Sequence, residues 1–319
     1  MASNKIITVF GATGAQGGAV ADVFLHDPKL KSDWTVRAVT RNTSSESAKK
    51  LQSQGAEVVA ADMNDKATLL KAIEGASAVY AVTNYWEKAD HELEIRQGKA
   101  LVDAAKEAGV HHFIWSSLVN VTKLTKGKLP HVYHFDSKAA VEEYARSVGI
   151  PATFFMPGFY MSNIPGGSLR PDPSNGDAWT FSLPVPASAR IPLFDPADTG
   201  KYVKAAVLHR DEVLGKRILG ATAYVTGAEI VEGFKKVFPE AGERASYRQL
   251  PEAEYKGALL AKGMPNLIAQ ELLENMLLLD QFGYYGGASL DETHALVEDE
   301  LTTWEEHVRK STKWPAELR

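Results

Sequence analysis

The short apolar run Ile6–Phe10 leads directly into Gly11-Ala12-Thr13-Gly14-Ala15-Gln16-Gly17. No other stretch of the chain narrows its possible folds so far. A buried strand followed at once by glycines three apart predicts a strand–turn–helix unit with a phosphate-binding turn. Gly11 permits the tight turn, Gly14 lets the backbone approach a pyrophosphate, and Gly17 allows close packing of helix on sheet. The helix N-terminus then supplies N–H donors and the positive end of a dipole. Inside a βαβ unit the pattern points to a dinucleotide site, not to a merely structural glycine turn.

The rest of the first half supports such a unit. Thr35–Thr40, Glu57–Ala61, Ala78–Val82, Phe113–Ser116 and Ala152–Met156 are short runs rich in β-branched or aromatic residues, as buried parallel strands are. Helical patterns separate them at Gln16–His26, Ala67–Ile73, Leu93–Ala108 and Ala139–Val148. The alternation predicts an α/β fold with a Rossmann-type doubly wound parallel sheet. The chain has 319 residues, enough for a smaller, mainly helical C-terminal domain as well. We place the nucleotide-binding domain at 1–157, with elements returning to it near 190–225, and a substrate or partner domain at 158–319. Ser162–Pro192, dense in Pro, Gly and Ser, reads as a long connection with one short strand, Trp179–Leu183. Beyond it we expect helices at Asp198–His209, Gly227–Val237, Ala253–Ala261, Leu267–Phe282 and Leu290–Val308, and a strand at Gly220–Val225.

Composition excludes several classes of function. With 35 Lys and Arg against 40 Asp and Glu, the net charge is -5, which lacks the basic footprint of direct nucleic-acid binding. There is no cysteine, so no disulfide, thiolate nucleophile or thiolate metal site exists. His111-His112 precede a strand without an acidic companion at ligand spacing, and no metal site is assigned. The start of the chain runs into its first strand too soon for a secretory signal, and no stretch is long enough to cross a bilayer. These features predict a cytoplasmic protein, with nuclear entry open and oligomeric state undetermined.

Cofactor choice is legible at the end of the second strand. An NAD site places Asp or Glu there to hold the ribose hydroxyls, whereas this chain has Arg41 followed by Asn42, Thr43 and Ser44. A guanidinium suits a 2′-phosphate, so the sequence favours NADP(H) over NAD(H). Asp62, with Met63 beside it, ends the third strand near the place of an adenine amino group. Its competing role is a helix cap.

The segments GATGAQGG, AVTNYW, WSSLVN, HVYHFDSKAAVEEY and MPGFYMSN together resemble the NmrA-like family, relatives of the short-chain dehydrogenase/reductases. The resemblance covers most of the first 165 residues and is looser beyond Pro192. It implies a Rossmann domain, a smaller C-terminal domain, and NADP or NAD in the cleft between them. By position it implies pyrophosphate contacts from Gly11, Thr13, Gly14, Ala15, Gln16 and Gly17, a 2′-phosphate contact from Arg41, and adenine contacts from Asp62 and Met63. Thr83 and Asn84 would lie near the ribose and nicotinamide, with Lys138, Pro157 and Phe159 at the nicotinamide end.

Hydride transfer to a carbonyl needs an acid beside the developing alkoxide. Ordinary short-chain reductases use a Tyr four residues before a Lys, plus a Ser. Here Lys138 is present, with Ser117 or Ser116 ending the fifth strand, but the residue four before Lys138 is His134, and Tyr133 comes one earlier. On a helix i and i+4 share a face, whereas i and i+5 diverge by roughly 140°. Either Asp136 caps the helix and leaves Tyr133 and His134 in a loop, or His134 itself is the acid, or His134 is structural. The aromatic residues Tyr85, Trp86 and Phe159 would line an apolar cleft over the nicotinamide. The displaced tyrosine favours an NADP(H)-binding redox sensor or transcriptional-regulator type of protein acting through a regulatory protein partner. The alternatives are an NADPH-dependent reductase of a small apolar carbonyl, enone or imine substrate, and a scaffold that binds no nucleotide.

Overall fold

The computed structural model describes residues 5–318. The chain begins β1 (Lys5–Val9), α1 (Ala15–His26), β2 (Trp34–Thr40), α2 (Glu46–Ser53), β3 (Glu57–Ala60), α3 (Lys66–Ile73), β4 (Ala78–Ala81), α4 (His91–Glu107), β5 (His112–Ser116), α5 (Val121–Leu124), α6 (Tyr133–Val148) and β6 (Ala152–Pro157). It continues β7 (Phe159–Tyr160), β8 (Leu169–Asp172), β9 (Ala178–Leu183), β10 (Ile191–Phe194), α7 (Thr199–Leu208), α8 (Arg210–Val213), β11 (Arg217–Gly220), β12 (Ala223–Val225), α9 (Gly227–Val237), α10 (Pro239–Gly242) and β13 (Ser246–Gln249). Four more helices follow: α11 (Glu252–Ala261), α12 (Asn266–Gln281), α13 (Asp291–His294) and α14 (Trp304–Lys310).

Seven strands form one parallel sheet in the order β11-β6-β5-β4-β1-β2-β3. Its faces are sealed by alternate side chains. In β1, Ile7 and Val9 join Val20, Phe24 and Tyr202 under α1 and α7, while Phe10 joins Leu69, Leu101, Trp115 and Val141 under α3, α4 and α6. Each such large apolar side chain contributes about 1.5–3 kcal/mol when fully buried. The chain leaves β1 towards β2 on one side and returns to β4 on the other, which opens a crevice at the carboxyl ends of β1 and β4. The turn 11–17 opens into this crevice.

The second half differs from the sequence-based expectations in several places. Residues 162–192 are not an open connection with one strand. They carry β8 and β9, which pair antiparallel, with β13 added parallel to β9. Buried Leu169, Trp179, Phe181 and Leu183 give these strands an apolar face, packed with Phe234 and Trp314 into the C-terminal core. The expected strand 220–225 is two strands, because Gly220 ends β11 in the main sheet and β12 pairs with β10 in another. The expected helix 290–308 is broken into α13 and α14. Thr302 leaves the helix to donate to both carboxylate oxygens of Asp198, and Thr303 starts α14 afresh with a capping box. Helix α2, capped by Ser45, was missed: its exposed, Lys- and Ser-rich turns lack a broad apolar stripe. Among the described residues no helix is long and apolar enough to cross a membrane.

Candidate active site

The glycine turn has the geometry its residue types predict. Gly11 sits at φ +68°, in the left-handed region. Gly14 N–H donates to Gly11 C=O at 2.9 Å, and a Cβ at position 17 would stand 2.3 Å from the Gly11 oxygen. Gly14 is the N-cap of α1 and has no side-chain cap, so the first-turn N–H groups stay open for an anion. The Gln16 side chain is already engaged. Its Oε1 accepts from Tyr80 Oη and from Ser116 Oγ, and its Nε2 donates to Tyr160 Oη. Burial pushes the Tyr80 phenol well up and Tyr160 to about 12, so both remain protonated partners. What Gln16 can offer a phosphate is its main chain.

A cavity of about 1180 Å³ runs from this turn to residues of α11 and α12. Gly11, Thr13, Gly14, Ala15, Gln16, Gly17, Arg41, Asp62, Met63, Thr83, Asn84, Lys138, Pro157 and Phe159 all line it. Of the acid candidates His134 lines it, while Tyr133 and Ser117 do not. Ser117 is fully buried and donates to Glu142 Oε2 at 2.6 Å. Asp62 is not a helix cap. Its Oδ1 holds Asn64 N–H at 2.8 Å, and Asp65 caps α3. At the rim Arg41 donates from both terminal nitrogens to the two carboxylate oxygens of Glu87, at 2.7 and 2.9 Å.

Lys138 is buried, not a surface lysine. Its Nζ donates to Thr83 Oγ1, Thr83 C=O and Glu94 Oε1, and Glu94 also accepts from Thr83 Oγ1 and Ser137 Oγ. Burial raises the Glu94 carboxyl, but the Lys138 charge and these hydrogen bonds together outweigh it and hold Glu94 below the usual range. Glu94 was not foreseen. The available signal is its position four before buried Gly98 and seven before Leu101, on the buried stripe of α4.

Helix α6 begins at Tyr133, six residues earlier than expected, so Tyr133 and His134 are helical and Asp136 is not the cap. Asp136 instead accepts from Val121 N–H and Thr122 Oγ1, tying α5 to the first turn. The reason for the early start is tertiary. Val132 offers no side-chain cap, and two glutamates of α12 take backbone N–H groups on either side of it, one just before the helix and one in its first turn. Glu274 accepts His131 N–H at 2.8 Å, and Glu271 accepts His134 N–H at 2.8 Å. Each glutamate also holds the Nδ1 of the same histidine at 2.6 Å.

His134 therefore shares the cavity-facing side of α6 with Lys138, one turn away. The side chain of Glu271 is fully buried and also accepts from Tyr85 Oη at 2.8 Å. Burial, then the Glu271 hydrogen bond, raise the Tyr85 phenol far above its usual value, which keeps it a donor. The Trp86 ring lies 4.8 Å from the His134 ring. Nε2 of His134 has no hydrogen-bond partner among the described residues and is not sealed from the cavity. Tyr133 turns the other way, with its ring against His91 and His131.

Beyond His134 the cavity is mainly apolar. Helix α11 has no buried residue, yet Tyr255, Ala258 and Leu259 line the cavity together with Leu183, Leu272 and Met276. The pattern i, i+3, i+4 is that of an amphipathic helix whose apolar side faces the space where a ligand would sit. Among the described residues no group of three or more His, Asp or Glu is placed to hold a metal ion.

Comparison with known proteins adds a relationship to this geometry. The NmrA-like family model matches residues 3–308. The NmrA-like family domain-containing oxidoreductase malD of Malbranchea aurantiaca is 32% identical over 266 residues, covering 77% of this chain and 76% of that protein. Among solved structures, the negative transcriptional regulator NmrA in complex with NADP has a TM-score of 0.78 at 22% identity, covering 96% of this chain and 95% of that one. The NADPH-dependent quinone oxidoreductase of Escherichia coli complexed with NADPH has a TM-score of 0.72 at 23% identity, covering 95% and 98%. At these identities the structural likeness is one of fold.

Proposed function

Because this chain belongs to the NmrA-like family, we propose that it is an NADP(H)-dependent oxidoreductase of an apolar carbonyl, enone or imine substrate, with His134 as its proton donor. The observation that carries the reading is His134 itself. It stands where reductases of the related type place tyrosine, and its Nδ1 is held by a buried carboxylate.

The residues present fit a dinucleotide. The turn 11–17 is a cradle that a Cβ at Gly17 would fill, the α1 N-terminus is uncapped, and Arg41 lines the rim. NADPH would supply the hydride when bound. Lys138, whose Nζ donates to Glu94 and twice to Thr83, would meet the ribose hydroxyls by exchanging a Thr83 partner for them. His134 carries a proton at Nε2 toward the substrate heteroatom, while Glu271 at Nδ1 fixes the ring and stabilises the imidazolium before transfer. Tyr85 and Trp86 exclude water on one side, and the apolar face of α11 covers the other. The relatives named as oxidoreductases and the NADP(H)-bound neighbours support the same reading.

The test is NADPH consumption with a panel of apolar aldehydes, enones, quinones and cyclic imines. Turnover should appear with at least one class and fall by roughly two to four orders of magnitude in His134→Ala. Undiminished turnover in that variant rejects His134 as the acid.

A second reading, a redox sensor that signals to a regulatory protein partner, is favoured by Trp86. It is 49% exposed and rests on His134, so it links the hydride end of the cavity to the surface. That reading expects no turnover on the panel, together with hydrogen-exchange protection of residues 84–90 that differs between NADP and NADPH.

A further inference from the structure

Arg41 and Glu87 form a two-pronged ion pair across the rim of the cavity, at 2.7 and 2.9 Å. Both residues line the cavity, and they come from elements brought together only by the fold: the end of β2 and the short helical turn Tyr85–Glu87 after β4. The guanidinium that would meet a 2′-phosphate is therefore already paired with a carboxylate, which offers two anionic oxygens to the same fork. We propose that Glu87 is a cofactor-selecting residue, the competitor that a 2′-phosphate must displace from Arg41 and that an unphosphorylated ribose need not.

The proposal rests on the reading of the cavity as an NADP(H) site, and it makes Glu87 act against that cofactor. A phosphate at Arg41 breaks the pair and then sits beside the displaced carboxylate, so NADP(H) carries a penalty that NAD(H) does not. With a 2′-hydroxyl instead, the pair stays intact and Glu87 remains able to accept a hydrogen bond from the ribose. Asp62 adds negative charge facing the pair and Lys88 adds positive charge beside Glu87. The site is thus graded between the two nucleotides, with Arg41 favouring the phosphorylated one and Glu87 narrowing its advantage. Arg41 is 68% exposed and Glu87 37%, so the effect is modest and screened by salt.

Calorimetric titration of the intact chain with NADP and with NAD, in low and in high salt, tests this. Glu87→Gln keeps the size of the side chain and removes the charge. It should tighten NADP about fivefold and leave NAD within about twofold, with the gain shrinking in high salt and disappearing in an Arg41→Ala background. Unchanged or weaker NADP binding in Glu87→Gln overturns the proposal, and so does equal tightening of both nucleotides. In those cases wild-type binding of NADP still stands. A wild-type chain that binds neither nucleotide overturns this proposal and the oxidoreductase reading together.

Discussion

Glu271 Oε1 lies 2.6 Å from His134 Nδ1 and 2.8 Å from the His134 backbone N–H, so one carboxylate caps helix α6 and orients the ring on its first turn. The glutamate belongs to α12 in the C-terminal half and the histidine to the parallel-sheet half. The proposed acid is therefore held by both halves of the chain.

Truncating Glu271 should be costly. Glu271→Ala leaves His134 N–H, His134 Nδ1 and Tyr85 Oη without their shared acceptor in a buried place, and should lose about 2–4 kcal/mol in urea unfolding. Glu271→Gln keeps an acceptor but not the charge. Its stability should fall less, while turnover drops about ten- to hundredfold because the imidazolium loses its counter-charge. Equal turnover in Glu271→Gln and wild type would remove Glu271 from the mechanism.

Tyr133 offers the opposite expectation. It lies outside the cavity with its ring against His91 and His131, so Tyr133→Phe should leave NADPH turnover within about threefold of wild type. A loss of two orders of magnitude would mean that Tyr133, and not His134, reaches the substrate.

The glycines of the first turn should fail in different ways. A Cβ at Gly14 stands 3.3 Å from the Gly11 oxygen, a tight contact but one without backbone overlap. Gly14→Val should therefore fold and still lose nucleotide binding, since its side chain points where a pyrophosphate approaches. At Gly17 even alanine puts a Cβ 2.3 Å from the Gly11 oxygen, which forces helix and strand apart. Gly17→Ala should lower the thermal midpoint as well as binding. A folded Gly14→Val variant with wild-type affinity for NADPH would contradict the dinucleotide site.

His112 predicts a pH dependence of stability. It is almost fully buried at the start of β5, and burial, with a smaller contribution from the Arg210 charge, pushes its pKa down to about 4. Thr153 gives its hydroxyl hydrogen to Val213 C=O, so His112 Nε2–H donates to Thr153 and the Nδ1 lone pair is left bare. The fold keeps the ring neutral down to about pH 4, whereas the unfolded chain takes up a proton below about pH 6.5. Across that window the unfolded state holds more protons, so stability falls with falling pH, by about 3 kcal/mol in all. Urea unfolding at pH 7, 5.5 and 4 should show the decline, and His112→Gln should flatten it. An unflattened profile would assign the loss to carboxylates instead.

The sequence by itself determined the parallel-sheet half and the phosphate turn, because those depend on local, periodic information. Gly11, Gly14 and Gly17 fall at fixed spacing after a strand, and each strand from β1 to β6 is a short apolar run, with a helical pattern between every successive pair but β2 and β3. The candidate cofactor residues from Gly11 to Phe159 meet in one cavity because parallel strands bring their carboxyl ends to a common edge. The lone Arg41 was visible for the same reason. Its partner Glu87 was not, since that pairing joins positions 46 residues apart. Tertiary structure alone decided the chemistry at the far end. Whether Tyr133 or His134 faces the cavity depends on where α6 starts, and a helix with Val132 at its N-cap carries no local start signal. The start is fixed from more than 130 residues away, where Glu271 accepts the first-turn His134 N–H that no nearby side chain caps and Glu274 holds His131 just before the helix. The strand β8 escaped notice likewise, and β9, expected at 179–183, was read without the partners it pairs with. Their Pro- and Gly-rich flanks read as loop, and only burial against Phe234 and Trp314 makes the strand arrangement the stable one.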